Sequence, residues 1–231
     1  MTIKGLIFDF DGLILDTETP EYQVLQEMFR GYHVDLSLSQ WSAALGASFA
    51  AFDPWSYLEQ QVGQPLDRAD LQQVWRRQSM ALIRQQGPMP GIESLICQAR
   101  ERNMKLGVAS SSPRDWVIPH LERLELVDSF DVILTSDDVS HIKPHPELFS
   151  SAARLLRIKP WEAIAFEDSP NGITSAREAG IFCVAVLNSL TRHLNTAHAS
   201  LVLDSLDGVT LDFLLEKTDH RSPQGKIDSA R

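Results

Sequence analysis

Six short apolar runs are spread along this chain of 231 residues. They are continuous rather than alternating, which predicts strands that are covered on both faces of a sheet. Segments with helical spacing separate the later runs, so the pattern predicts a doubly wound, mostly parallel, Rossmann-like α/β sheet. The runs span residues 6–10, 106–110, 132–135, 163–167, 183–186 and 201–203.

Two Ser-Pro pairs and one glycine predict helix ends. Ser112-Pro113 and Ser169-Pro170 are each typical of an N-cap followed by proline at the first helical position. Gly180 predicts the end of the helix that begins at the second pair.

One long stretch breaks the alternation of strands and helices. Residues 17–87 show helical patterns and no convincing strand, so we expect an inserted all-helical cap domain there. Pro88-Met89-Pro90-Gly91 marks the return to the core. The α/β core domain is therefore expected at 1–16 and 88–216, with a disordered polar tail at 217–231.

The overall composition excludes several functional classes. Lys and Arg number 21 against 31 Asp and Glu, a net charge of −10 that argues against nucleic-acid partners. We find no signal peptide and no apolar run long enough for a membrane, so a cytoplasmic protein is expected. Two cysteines, Cys97 and Cys183, are interpreted as small core residues. The sequence does not define an oligomeric state, and a monomer is favoured.

Acidic residues follow two of the predicted strands. Asp9 and Asp11 end the first run on one side of the strand, and Glu167-Asp168 end the fourth. A turn at Gly12 and N-capping by Asp168 or Ser169 are the structural alternatives. Strand ends that meet at one edge of a sheet would gather these carboxylates into an oxygen-ligand site suited to Mg²⁺.

Two further segments could hold a phosphate. Ser110 and Ser111 follow the second run before a predicted helix, where hydroxyls and free N–H groups can bind an anion, although serine also caps helices. Lys143 lies before Pro144 in a stiff segment, which would fix the direction of its cation. The alternative for this lysine is an ordinary solvated surface charge.

Taken together, these segments resemble the four motifs of the haloacid dehalogenase superfamily, in the subgroup with a helical cap after the first strand. The matching residues cover nearly the whole chain to about residue 215. They are Asp9-Phe10-Asp11-Gly12 with Asp16-Thr17-Glu18, Ser110, Lys143-Pro144 with Pro146-Glu147, and Glu167-Asp168-Ser169 with Asn171-Gly172.

The resemblance implies phosphoryl transfer through an aspartyl-phosphate. Asp9 would be the nucleophile and Asp11 the general acid and base, while Ser110 and Lys143 would stabilise the transferring phosphoryl group. Ser110, Ser111 and Lys143 would bind the substrate phosphate. Mg²⁺ would be held by Asp9, Asp168, the Asp11 backbone carbonyl, and Glu167 directly or through water.

Three functions are compatible with these motifs. The leading one is a phosphatase for a small phosphorylated metabolite, ahead of a β-phosphoglucomutase-like phosphomutase and a non-catalytic protein that binds a phosphoryl ligand. Where mutase-like sequences carry a histidine, a lysine and an arginine in the cap, this chain has Glu21, Leu45 and Phe49. A second phosphate would need a cation, so the phosphatase is favoured.

The apolar cap residues leave the substrate open. Leu45, Phe49, Phe52, Trp55 and Tyr57 could line a pocket for the leaving group, or they could form the core of the cap itself. We expect a phosphomonoester with a small organic leaving group.

Overall fold

The computed structural model describes residues 2–42 and 52–219, and its centre is a parallel sheet of six strands. The strand order is β3-β2-β1-β4-β5-β6, and every pairing is parallel, which confirms the predicted doubly wound sheet. The strands are β1 (Gly5–Phe8), β2 (Lys105–Ala109), β3 (Val132–Leu134), β4 (Ala163–Glu167), β5 (Phe182–Val186) and β6 (Leu201–Leu203).

The central strands are buried on both faces because helices cover both sides of the sheet. One apolar cluster contains Phe8 and Phe166, whose rings stack at a centroid distance of 4.8 Å. A second cluster contains Ile7 and Ala165. Neighbouring residues of β1 and β4 thus contribute to different clusters, and the continuous apolar runs supply both.

The helices divide between the region after β1 and the rest of the chain. Four helices of the described residues lie between β1 and the return of the chain at residues 88–91. They are α1 (Glu18–Gly31), α2 (Leu38–Ser42), α3 (Pro54–Val62) and α4 (Arg68–Ile83). The helices after this return are α5 (Ile92–Glu101), α6 (Arg114–Arg123), α7 (Glu147–Leu155), α8 (Pro170–Glu178) and α9 (Leu211–Asp219). None of these is both long and apolar enough to cross a bilayer.

The helical region after β1 has an apolar core separate from those of the sheet, and Leu190 of the loop after β5 also belongs to it. This core includes Tyr22, Phe29, Trp41, Trp55 and Trp75, and no strand occurs in the described part of the region. Phe52 and Tyr57 pack against the same core, with ring centroids 5.7 Å apart. Packing within the cap therefore accounts for Phe52, Trp55 and Tyr57. Leu45, Gly46 and Phe49 lie outside the described residues.

The two connections between this region and the sheet meet each other. The backbone N–H of Met89 donates to the carbonyl oxygen of Ile14 at 2.8 Å. Near the start of α1, the hydroxyl groups of Thr19 and Ser189 lie 3.0 Å apart. The chain thus leaves and re-enters the core at one place.

One predicted helix start is wrong and the other is confirmed. Helix α6 begins at Arg114, and its first N–H donates to Asp137 at 2.8 Å, so the expected cap at Ser112 with Pro113 as the first helical residue does not form. Ser169 does cap α8, accepting a hydrogen bond from the N–H of Gly172, and Pro170 is the first helical residue.

Two other expectations need correction. Helix α9 continues to Asp219, so 217–219 are helical rather than part of a disordered tail, while 220–231 lie outside the described residues. Cys183 is buried as expected, but Cys97 is exposed. The apolar stripe of α5 runs through Ile92, Leu95, Ile96 and Ala99, which places Cys97 on the other side of the helix.

Candidate active site

Three carboxylates meet where β1 and β4 end. Asp9 directly follows β1, while Glu167 is the last residue of β4 and Asp168 follows it. One oxygen from each lies within 4.8 Å of the others, and all three residues are buried. The N–H of Asp9 donates to the carbonyl of Phe166 at 2.9 Å, so strand pairing itself sets Asp9 beside β4. The predicted meeting of the two acidic pairs is therefore present for these three residues.

Lys143 supplies the cation of the cluster. Its Nζ donates to Asp9 Oδ1 and, at 2.6 Å, to Glu167 Oε1, and only 5% of its side chain is exposed. It also lies 5.1 Å from the centroid of the Phe149 ring. The structure thus contradicts the alternative of a solvated surface lysine.

Burial and repulsion between like charges favour the protonated forms of Asp9 and Asp168. Burial, together with the charge of Glu167, raises the pKa of Asp9 to about 7, although Lys143 opposes the shift. Burial and the charges of Glu18 and Glu167 also raise the pKa of Asp168. Burial alone would lower the pKa of Lys143, but Asp9 and Glu167 outweigh it and raise that pKa. The ammonium group of Lys143 therefore stays charged, while ionisation of Asp9 and Asp168 is costly.

Asp11 stands apart from the three clustered carboxylates. Its Oδ1 accepts hydrogen bonds from Thr17 Oγ1 at 2.9 Å and Trp116 Nε1 at 2.8 Å. Its Oδ2 accepts one from Ser112 Oγ at 2.6 Å. These donors connect the carboxylate to the loop before α1 and to the loop and helix after β2. Asp11 is thus oriented by neutral groups, whereas Asp9 is oriented by a cation.

The serines after β2 lie at the same end of the sheet. Ser110 is fully buried, and its Oγ accepts from the N–H of Ser112 at 3.0 Å. The hydroxyl of Ser111 is buried without a hydrogen-bond partner among the described residues. A buried hydroxyl with no partner is costly, so it is a candidate group for binding a polar ligand.

Close backbone approach requires glycine at Gly12. This residue has φ +74°, and a Cβ there would lie 2.3 Å from Asp168 Oδ2 and 3.0 Å from Asn188 Nδ2. A turn at Gly12 is the alternative to a metal site considered from the sequence. The turn is present, and it forms part of the candidate site. The left-handed backbone at Gly12 lets the loop that carries Asp9 and Asp11 approach Asp168.

Asn188 and Trp116 belong to this site although neither was predicted from the sequence. Asn188 is buried, and its Nδ2 donates to Asp168 Oδ2 at 2.8 Å and to the carbonyl of Gly12 at 3.2 Å. It lies two residues beyond β5, so the same strand-end rule could have found it. Trp116, the other missed group, lies on α6 and has no comparable local signal.

Two glutamates of α1 add further negative charge. Burial raises the pKa of Glu18 well above its usual range, with Asp11 and Glu21 adding to the effect. Burial and the charge of Asp11 raise the pKa of Glu21 to about 8. Glu18 Oε2 has no hydrogen-bond partner within the described part of the chain. The start of the cap therefore presents acids, rather than cations, near Asp11.

Comparison with known proteins identifies the family of this chain. Residues 6–186 match the family of haloacid dehalogenase-like hydrolases. The chain belongs to this family. This hydrolase is 44% identical to the phosphatase-like protein YhcW of Bacillus subtilis (strain 168), over 96% of its own length and 99% of YhcW. It is 30% identical to validoxylamine A 7'-phosphate phosphatase of Streptomyces hygroscopicus subsp. limoneus, covering 95% and 99% of the two chains.

A solved structure extends the comparison to the fold of this hydrolase. The crystal structure of β-phosphoglucomutase from Clostridium difficile is 27% identical, with a TM-score of 0.72. The match covers 94% of this chain and 98% of the mutase. The predicted family and fold, including the helical cap, are confirmed. Two of these relatives are named phosphatases, which agrees with the predicted phosphoric monoester hydrolase activity. The activity named for the solved mutase is the alternative considered from the sequence.

Proposed function

We propose that this hydrolase is a Mg²⁺-dependent phosphatase that cleaves a small phosphomonoester through an aspartyl-phosphate on Asp9. One observation carries the proposal: Lys143 is buried between Asp9 and Glu167, so a nucleophilic carboxylate and a phosphate-binding cation lie together. A phosphoryl transition state spreads negative charge over its oxygens, which such a cation stabilises. Phosphatase relatives support the same reaction class.

The residues present fit a Mg²⁺ ion. Asp9, Glu167 and Asp168 offer three oxygen ligands and no nitrogen or sulfur, which is the ligand set that Mg²⁺ prefers. The raised pKa values of Asp9 and Asp168 support the assignment, because these two carboxylates lack sufficient positive charge nearby. We assign these side chains and the Asp11 backbone carbonyl as the ligands. A bound Mg²⁺ would neutralise part of the charge between the nucleophile and an anionic phosphate.

Asp9 and Asp11 would have different roles because their surroundings differ. Asp9 would attack phosphorus in line, with Lys143 favouring its ionised form. Asp11, held by Thr17, Ser112 and Trp116, would protonate the leaving alkoxide and then take a proton from the attacking water. Ser110 and Ser111 would bind the phosphate oxygens, and the free hydroxyl of Ser111 supports this assignment.

The acidic start of the cap favours hydrolysis of a phosphomonoester over the phosphomutase reaction. A mutase must hold a second phosphate in the cap, and that requires cations. Glu18 and Glu21 place two acids near Asp11 instead. We therefore propose that the cap, predicted at residues 17–87, selects a monophosphate with an uncharged organic leaving group and shields the site from bulk water.

A panel of phosphorylated metabolites tests the proposed activity. We expect phosphate release from sugar-phosphate-like monoesters with Mg²⁺ present, and none after treatment with EDTA and removal of free metal. Ca²⁺ should inhibit, because its larger and looser coordination does not reproduce the octahedral geometry of Mg²⁺. Full activity in a metal-free preparation would contradict the metal assignment. Conversion of a hexose 1-phosphate into the 6-phosphate without phosphate release would favour the mutase.

A further inference from the structure

A second cluster of metal-ligating side chains lies outside the active site. It consists of His141, His145 and Glu147, with one ligand atom from each within 4.8 Å of the others. Glu147 Oε2 lies 3.1 Å from His141 Nδ1 and 3.9 Å from His145 Nδ1. The centroids of the two imidazole rings are 4.6 Å apart. Two ring nitrogens and one carboxylate oxygen thus surround a common space.

Hydrogen bonds with the backbone hold this cluster in place. The carboxylate of Glu147 accepts from the N–H groups of Ser140 and His141, both at 3.0 Å. The carbonyl of His145 accepts from Ser175 Oγ at 2.7 Å, which fastens the segment to α8. Supporting contacts of this kind orient metal ligands before an ion binds.

The cluster is accessible to an ion from solvent. The side chains of His141 and His145 are 65% and 51% exposed. Both histidines line an open surface cleft, together with Thr174 and Glu178 of α8. Water can therefore complete the coordination of an ion bound by three protein ligands.

The donor atoms indicate a different class of ion from that of the active site. Imidazole nitrogens with one carboxylate suit Zn²⁺, Co²⁺, Ni²⁺ or Cu²⁺, whereas Mg²⁺ prefers oxygen ligands alone. We propose that His141, His145 and Glu147 form a binding site for a divalent transition-metal ion of the Zn²⁺ class. The site lies on the segment that carries Lys143, and it is separate from the cluster of Asp9, Glu167 and Asp168.

Calorimetric titration of Zn²⁺ into the full-length, tag-free protein tests this proposal without using turnover. Saturating Mg²⁺ is present throughout so that the oxygen-ligand site is occupied. We expect the wild type to bind one equivalent of Zn²⁺. Loss of a residue that only orients a metal ligand costs about 10- to 100-fold in metal affinity. Because His141 and His145 would be ligands themselves, His141→Ala and His145→Ala should each weaken Zn²⁺ binding by about 100-fold.

An exposed histidine elsewhere provides the matched control. His33 follows α1 with φ +57°, a backbone conformation that asparagine tolerates, so His33→Asn removes an imidazole with little strain. Its Zn²⁺ affinity should equal that of the wild type. Unchanged affinity in both His141→Ala and His145→Ala would overturn the proposal, as would a wild type that binds no Zn²⁺ in the presence of Mg²⁺.

Discussion

Replacing Asp9 with asparagine is expected to abolish turnover while leaving the protein folded. Asparagine has nearly the same shape but cannot attack phosphorus as a carboxylate does. Loss of the nucleophile in other covalent catalysts costs about 10⁶ in kcat, so we expect a loss of at least about 10³-fold here. The measurement is kcat/KM for Asp9→Asn and wild type on the best substrate of the panel, with Mg²⁺ present.

Folding of the Asp9→Asn variant can be checked independently by its melting temperature without metal. The pKa of Asp9 rises from 3.8 to about 7 in the folded protein. Ionisation of Asp9 therefore lowers stability as the pH rises from about 4 through about 7, and asparagine carries no such charge. The variant should be at least as stable as wild type at pH 8. Asp212 forms an exposed ion pair with Arg102. Asp212→Asn is therefore the control for an aspartate-to-asparagine change, and it should keep full activity.

Replacing Lys143 with alanine is expected to give the second largest loss of activity. The substitution removes the cation that contacts both Asp9 and Glu167. Removing one stabilising donor from a transition state costs about 10²- to 10³-fold in kcat, and we expect a loss of at least this size. Because Lys143 would act on the phosphoryl group that all substrates share, the loss should be similar for every active phosphomonoester.

A surface lysine distinguishes this effect from a general loss of positive charge. Lys105 begins β2, and its side chain is 50% exposed in an ion pair with Asp131. Exposed pairs of this kind contribute little, so Lys105→Ala should leave kcat/KM unchanged. If Lys143→Ala reorders the substrates instead of slowing all of them, the lysine selects leaving groups and its assigned role is wrong. Phe49→Ala, outside the described residues, is the variant expected to change the substrate ranking.

Much of the sheet and the acidic cluster could be predicted from the sequence because both depend on local patterns. A parallel strand buried on two faces needs a continuous apolar run, and the end of such a run locates the adjoining carboxylates at one edge. Asp9, Glu167 and Asp168 met there for this reason. Strand bounds were less predictable: β1 ends at Phe8, although the apolar run extends to Phe10.

The remaining features depend on contacts between distant parts of the chain. Trp116 reaches Asp11 across 105 positions, and no spacing near either residue indicates this hydrogen bond. Ser112 was predicted to cap α6, but its hydroxyl donates to Asp11 while Asp137 accepts from the first N–H of the helix. The serine hydroxyl and the first N–H of the helix therefore each have a hydrogen-bond partner, but they do not bond to each other as the predicted cap requires. Likewise, burial of Lys143 follows from where its loop packs and not from its neighbours in sequence.

The most direct test of the aspartyl-phosphate mechanism is to find the phosphoryl group on Asp9. Asp11→Asn keeps the nucleophile but cannot activate water, and p-nitrophenyl phosphate has a leaving group that needs no protonation. After mixing with this substrate and Mg²⁺ and quenching in acid, mass spectrometry should find one phosphate on the peptide that contains Asp9. Asp9→Asn should carry none. Turnover by the wild type with no phosphate trapped on Asp11→Asn, or with phosphate on another residue, would contradict the proposed aspartyl-phosphate mechanism.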